Sequence, residues 1–213
     1  MPDAPARWWR PSRKDWWTAV LFAVGSTCFA AAAFVSQWAS APRPDIGVTF
    51  FAGSIAFTAA SFLQLTATPR AQRIDWIAAL VQFAGTLFFN ISTFEGMQDG
   101  FDTHQINLRV WAPDAFGSVC FLVASELALV AAGHALVSWR PRSGAWRIAA
   151  VNMLGSIAFG VAAVTSLIEP STSEPVSAAI ANAGTTFGAL CFLAGAWMLM
   201  PGAAVGDPLP ERA

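Results

Sequence analysis

Glu126 is the one acid set well inside a long apolar run, residues 113–137 of the 213-residue chain. A carboxyl at that depth is suited to holding a proton or a cation. A charged group at the centre of a bilayer costs roughly 3 kcal/mol on insertion scales, so such residues turn toward the bundle interior. We therefore expect Glu126 to face inward and to be protonated. Mirroring the apolar runs 74–94 and 113–137 about their connector brings it level with Gln82, its expected hydrogen-bond partner. The same construction pairs His134 with Asn152 across the connector 138–145. Asn90, Asn182 and Gln64 lie nearer the ends of their runs, where an amide can bridge two helices. Two readings of this polar set stay open: hydrogen bonding that holds helices together, and a path for a proton or a cation.

Other chemistry is thin. The segment 95–112 brings together Glu95, Asp99, Asp102 and His104, oxygen and imidazole donors of the kind that hold cations, but without the spacing of an EF-hand. A solvated acidic loop is the reading adopted. Cys28, Cys120 and Cys191 are odd in number, lie inside apolar runs and form no Cys-x-x-Cys pair, so we read them as small packing residues. Walker, dinucleotide, zinc-helix and Gly-x-Ser-x-Gly signatures are missing. We expect no enzyme, no catalytic residue, no metal and no cofactor.

The elements that carry these residues follow from composition. Hydrophobic residues make up 55% of the chain and charged residues 12%, about half the charged share of a soluble domain. The charges gather between six apolar runs, at about 16–36, 46–66, 74–94, 113–137, 146–168 and 177–200. Each is close to the roughly 20 residues that cross a bilayer as a helix. The class is an all-α polytopic membrane protein: a tail 1–15, a six-helix domain 16–200 and a tail 201–213. A soluble domain and a nucleic-acid binder are both excluded. The first run is too long for the core of a signal peptide, so it is read as a retained span.

Basic residues set the expected orientation. Arg7, Arg10, Arg13, Lys14, Arg70, Arg73, Arg140, Arg142, Arg147 and Arg212 fall on one side, and only Arg43 and Arg109 on the other. Both termini are expected in the cytoplasm. Trp16, Trp17, Trp76, Trp111, Trp139 and Trp146 stand at run ends, where indoles anchor at the interface.

One motif recurs in every run. It begins at Gly25, Gly53, Gly85, Gly117, Gly155 and Gly188, and four residues later each copy has a phenylalanine: Phe29, Phe57, Phe89, Phe121, Phe159 and Phe192. Gly-Ser-Ile-Ala-Phe is identical at 53–57 and 155–159. Small residues return seven and eight places after each glycine, as Ala32-Ala33 and Ala60-Ser61 illustrate. On a helix these positions share one face, a stripe suited to close helix contact in lipid. We expect the six glycines to be packing positions, tolerant of alanine and intolerant of leucine. The identical pair favours an inverted three-plus-three duplication. Trp16, Trp76 and Trp146, each nine residues before a glycine, favour three successive hairpins. Neither arrangement is excluded, though the hairpins are slightly preferred.

At these residues the chain resembles the YrhK-like membrane proteins of bacteria, whose unit is a two-helix hairpin with Gly-Ser-x-x-Phe spans. The likeness would cover 15–200 as three tandem hairpins. With the Trp-rich basic start, Trp8-Trp9-Arg10-Pro11 through Asp15-Trp16-Trp17, it also resembles six-span bacterial proteins. It implies a bacterial inner-membrane location and carries over no catalytic residue. Two functions follow as expectations. The preferred one is a structural or accessory component that meets lipid and either its own copy or another membrane protein through small-residue faces. The other is a small transporter or channel passing Glu126.

Overall fold

The computed structural model describes residues 9–38, 43–135 and 139–200. The expected tail 201–213 and residues 1–8 of the expected tail 1–15 lie outside the described residues, as do parts of two connectors. Six long helices are present: α1 Lys14–Ser36, α2 Pro44–Ala67, α3 Arg73–Glu95, α5 Ala112–Gly133, α6 Gly144–Thr165 and α7 Ala178–Leu199. A short α4, Thr103–Ile106, runs through a π turn, Asn107–Trp111, into α5. All six are long and apolar enough to cross a membrane. Among the described residues the only strand-like feature is one bridge, Ile168 with Pro175.

Local chemistry explains several helix ends. Ser143 and Ser177 cap α6 and α7 by accepting from the backbone N–H of Trp146 and Ile180. Pro44 opens α2, where its missing N–H costs nothing. The fourth span differs from the expected 113–137. It stops at Gly133, after which His134 takes a left-handed conformation (φ 56°), and it extends further toward its N-terminus. Pro113 cannot donate to the carbonyl four residues back, and the π turn just before it absorbs the fault, with Ala112 N–H reaching the carbonyl of Asn107.

The helices close into a ring in chain order, with α1 meeting α2 and α7, and α3 meeting α2 and α5. The hairpins are α1–α2, α3–α5 and α6–α7, and within each the motif glycines meet. A Cβ placed on Gly25 would lie 2.9 Å from the carbonyl oxygen of Gly53, and one on Gly155 would lie 2.9 Å from that of Gly188. Gly117 stands likewise against Gly85, at 3.1 Å. Each hairpin adds one cysteine over a partner glycine: Cys28 on Gly53, Cys120 on Gly85, Cys191 on Gly155. The motif glycines and the cysteines thus stand at helix–helix contacts, and the space at each motif glycine is less than a methyl group needs.

The six motif phenylalanines fill the ring's axis, and all are buried. Phe29, Phe89 and Phe159 form one triangle, with centroids 6.3, 6.2 and 6.1 Å apart. Phe57, Phe121 and Phe192 form a second, at 6.3, 6.2 and 5.5 Å. Each hairpin gives one ring to each triangle and joins the two layers through its own pair, as Phe89 and Phe121 do at 5.0 Å. Edge-to-face contacts such as this one, near 90°, suit the ring quadrupole.

Hydroxyls join neighbouring hairpins. Ser54 shares a hydrogen bond with Thr93 (3.0 Å), Asn90 donates to Thr58 (2.9 Å), and Ser125 shares one with Ser156 (2.8 Å). The joint between α7 and α1 has Ala189 and Ala196 at the corresponding motif places of α7. Ser26 is buried there with no partner among the described residues for its Oγ.

Candidate functional site

Phe29 of the first phenylalanine triangle lines a cavity at the end of the bundle that carries the connectors 96–111 and 166–177. Its volume is about 330 Å³. α5 supplies Asp114 and the π turn supplies Trp111; α7 supplies Asn182 and Thr185, and Phe29 and Phe50 complete the apolar wall. A smaller cavity of about 20 Å³ lies between Asp114, Ser118, Thr185 and the three rings of that triangle, a size that suits one water among polar groups.

Two loops are tied together above the cavity. Asn107 donates through Nδ2 to the carbonyl of Ile168 (2.7 Å) and accepts through Oδ1 from its N–H (3.0 Å). Trp111 Nε1 donates to the carbonyl of Ala163 (2.7 Å), and Thr103 donates to Ser173 (3.1 Å). Arg109 stands over the ring of Phe101, with Nη1 3.6 Å from Glu95 Oε2. Asp114 is half-buried, and among the described residues its carboxylate has no hydrogen-bond or ion-pair partner. π turns recur at functional sites, and this one ends three residues before Asp114.

The residues singled out in the sequence sit elsewhere. Glu126 is exposed on the outer side of α5, and its expected inward position is wrong. It occupies motif place nine, where Phe34, Phe62, Phe94, Val164 and Trp197 are all exposed as well. Gln82 is half-buried on α3, and no hydrogen bond joins it to Glu126 among the described residues. His134 is exposed, close enough to Asp75 at the start of α3 for their charges to interact. Asn152 instead packs its carboxamide against Gly195 of α7, leaving Oδ1 buried without a partner among the described residues. The mirror construction gives depth and not facing: Glu126 lies on the outer face of α5, and His134 falls beyond the end of α5 at Gly133.

In the acidic loop, Asp102 caps α4 by accepting from Gln105 N–H (2.8 Å), while Glu95 faces Arg109. Among the described residues no three His, Cys, Asp or Glu side chains converge as a metal site. Of the tryptophans, Trp16 and Trp146 are buried against the bundle rather than displayed at its edge. Asp114 is not among the residues the sequence singles out, although Pro113 beside it marks an irregular helix at that place.

Comparisons with protein-family profiles, with curated proteins and with solved structures give no match to this chain. The class defined by fold and composition is an integral, multi-pass membrane protein with six apolar helices.

Proposed function

We propose that the chain is an accessory component of the bacterial inner membrane, a sealed bundle of three YrhK-like hairpins and not a conduit along its own axis. The observation that carries this reading is the pair of phenylalanine triangles, two layers of buried rings across the only axis the ring of helices encloses. Reciprocal glycine contacts within hairpins and hydroxyl contacts between them support a rigid assembly, since close-packed interfaces resist continuous deformation.

The exposure of Glu126 weighs against a proton path through it, because its carboxyl stands outside the ring. Both termini are placed in the cytoplasm by the distribution of Lys and Arg, which sets the cavity and its loops on the outer face.

Reconstitution tests this reading. Proteoliposomes carrying a trapped pH-sensitive dye and an imposed proton gradient should collapse no faster than empty vesicles, for wild type and Glu126→Gln alike. A wild-type flux that Glu126→Gln abolishes would overturn it. Orientation is read separately, from Gln98→Cys, Ser171→Cys and Arg142→Cys in a background without the native cysteines. The first two should react with an impermeant thiol reagent in intact cells and the third should not; the reverse pattern would invert the topology.

A further inference from the structure

The geometry points to the Asp114 cavity as a binding site for a small organic ammonium ion. The charge, lining and size of the site define the ligand. The site offers one carboxylate, and among the described residues nothing neutralises it. An unpaired charge away from water is costly, so a neutral ligand leaves the group as the uncharged acid, whereas a cation favours the carboxylate and meets it directly. An anion would be repelled by it, and Arg109, the nearest cation in the loop above, is already engaged by Glu95 and Phe101.

The remaining lining selects the kind of cation. Calcium and magnesium ask for six or more oxygen ligands, and among the described residues no group of three His, Cys, Asp or Glu side chains converges to hold a metal. Phe29, Phe50 and Trp111 line the same space, and Trp111 has spent its indole N–H on the carbonyl of Ala163, so it has only its ring to offer. Aromatic faces attract ammonium groups and tolerate their alkyl substituents, which bare ions lack. Asn182 and Thr185 line the same space and offer hydrogen-bonding groups for a hydroxyl or an N–H of the ligand. At about 330 Å³ the space lies at the low end of ligand pockets, fitting a molecule of a few heavy atoms rather than a lipid.

The site does not depend on the sealed-axis reading, because it lies wholly on one side of the phenylalanine layers. Isothermal titration of the full chain in detergent micelles tests it. The probes are choline and ethylammonium, with 3,3-dimethylbutan-1-ol as the uncharged shape match of choline and sodium chloride as the bare cation. Saturable binding of at least one ammonium is expected, with neither the alcohol nor sodium competing. Asp114→Asn, which keeps the shape and removes the charge, should weaken that binding at least about tenfold with the melting temperature unchanged. Should that variant not fold, Thr185→Leu, which narrows the cavity and keeps the carboxylate, should cause a loss of similar size. A folded wild type that binds neither ammonium, equal binding of the alcohol, or full binding by Asp114→Asn would overturn the assignment.

Discussion

At the scale of single residues, the six motif glycines decide how closely the helices approach. A Cβ on Gly53 would stand 2.8 Å from Cys28 Cβ and 3.2 Å from the carbonyl oxygen of Gly25, and neither neighbour has a flexible end to swing away. Gly53→Ala should therefore force the hairpin apart and destabilise the protein by about 1–3 kcal/mol, the usual cost of overpacking. Gly160→Ala is the internal control, since its Cβ would meet only the tip of Leu122 at 3.3 Å, and it should be near neutral. Thermal unfolding in detergent compares the two, and equal stability of Gly53→Ala and wild type would refute the contact. Glu126 makes the opposite case. Because it is exposed among apolar neighbours on the outer side of α5, Glu126→Leu should be neutral or stabilising by the same assay. A loss of about 1 kcal/mol or more would mean that the carboxyl has a buried partner after all.

Among the elements, the irregular rod Thr103–Gly133 organises the cavity. Its π turn aims Asn107 at the backbone of Ile168, where one carboxamide satisfies both an N–H and a carbonyl of the 166–177 loop. Asn107→Ala removes both bonds and should cost about 1–2 kcal/mol. Amide hydrogen exchange should rise at 166–176 and stay unchanged in α1 and α2; unchanged protection of that loop would show that the tie carries no weight. The existence and order of the six long helices were legible from runs of some twenty apolar residues, because lipid demands that length. The π turn was not, since apolar content is blind to helix phase, though Pro113 inside the continuous helix marks the fault. Asp114 was not legible for the same reason, since at the edge of an apolar run nothing in the spacing shows that it lines a cavity.

For the whole molecule, the motif held more of the architecture than any single polar residue did. Spacing alone put Gly25 through Gly188 on contact faces and Phe29 through Phe192 beside them, and the described structure has both. It also held the place of Glu126, whose five motif counterparts are large, apolar and exposed. The cost of burying a charge argued for an inward carboxyl, and the repeat position argued for an outward one; the repeat position prevailed. What no spacing could reveal is how three hairpins meet, because that depends on contacts between distant parts of the chain. Hydroxyls join α2 to α3 and α5 to α6, while α7 has alanines at the corresponding motif places and Ser26 of α1 has no partner among the described residues.

The convergence of all three hairpins on one phenylalanine core is open to a direct distance measurement. Fluorine placed by 4-fluorophenylalanine at positions 57 and 192 labels α2 and α7, helices far apart in the chain whose rings lie 6.2 Å apart between centroids. Fluorine–fluorine dipolar recoupling in lipid bilayers should give a strong contact between these two labels, and a comparable one for the pair 29 and 159, also at 6.2 Å. Moving one label from 57 to the outward-facing Phe62 should abolish it. Dipolar contact at both pairs is the predicted result; absence of coupling at both, in protein that melts like wild type, would contradict the three-hairpin core.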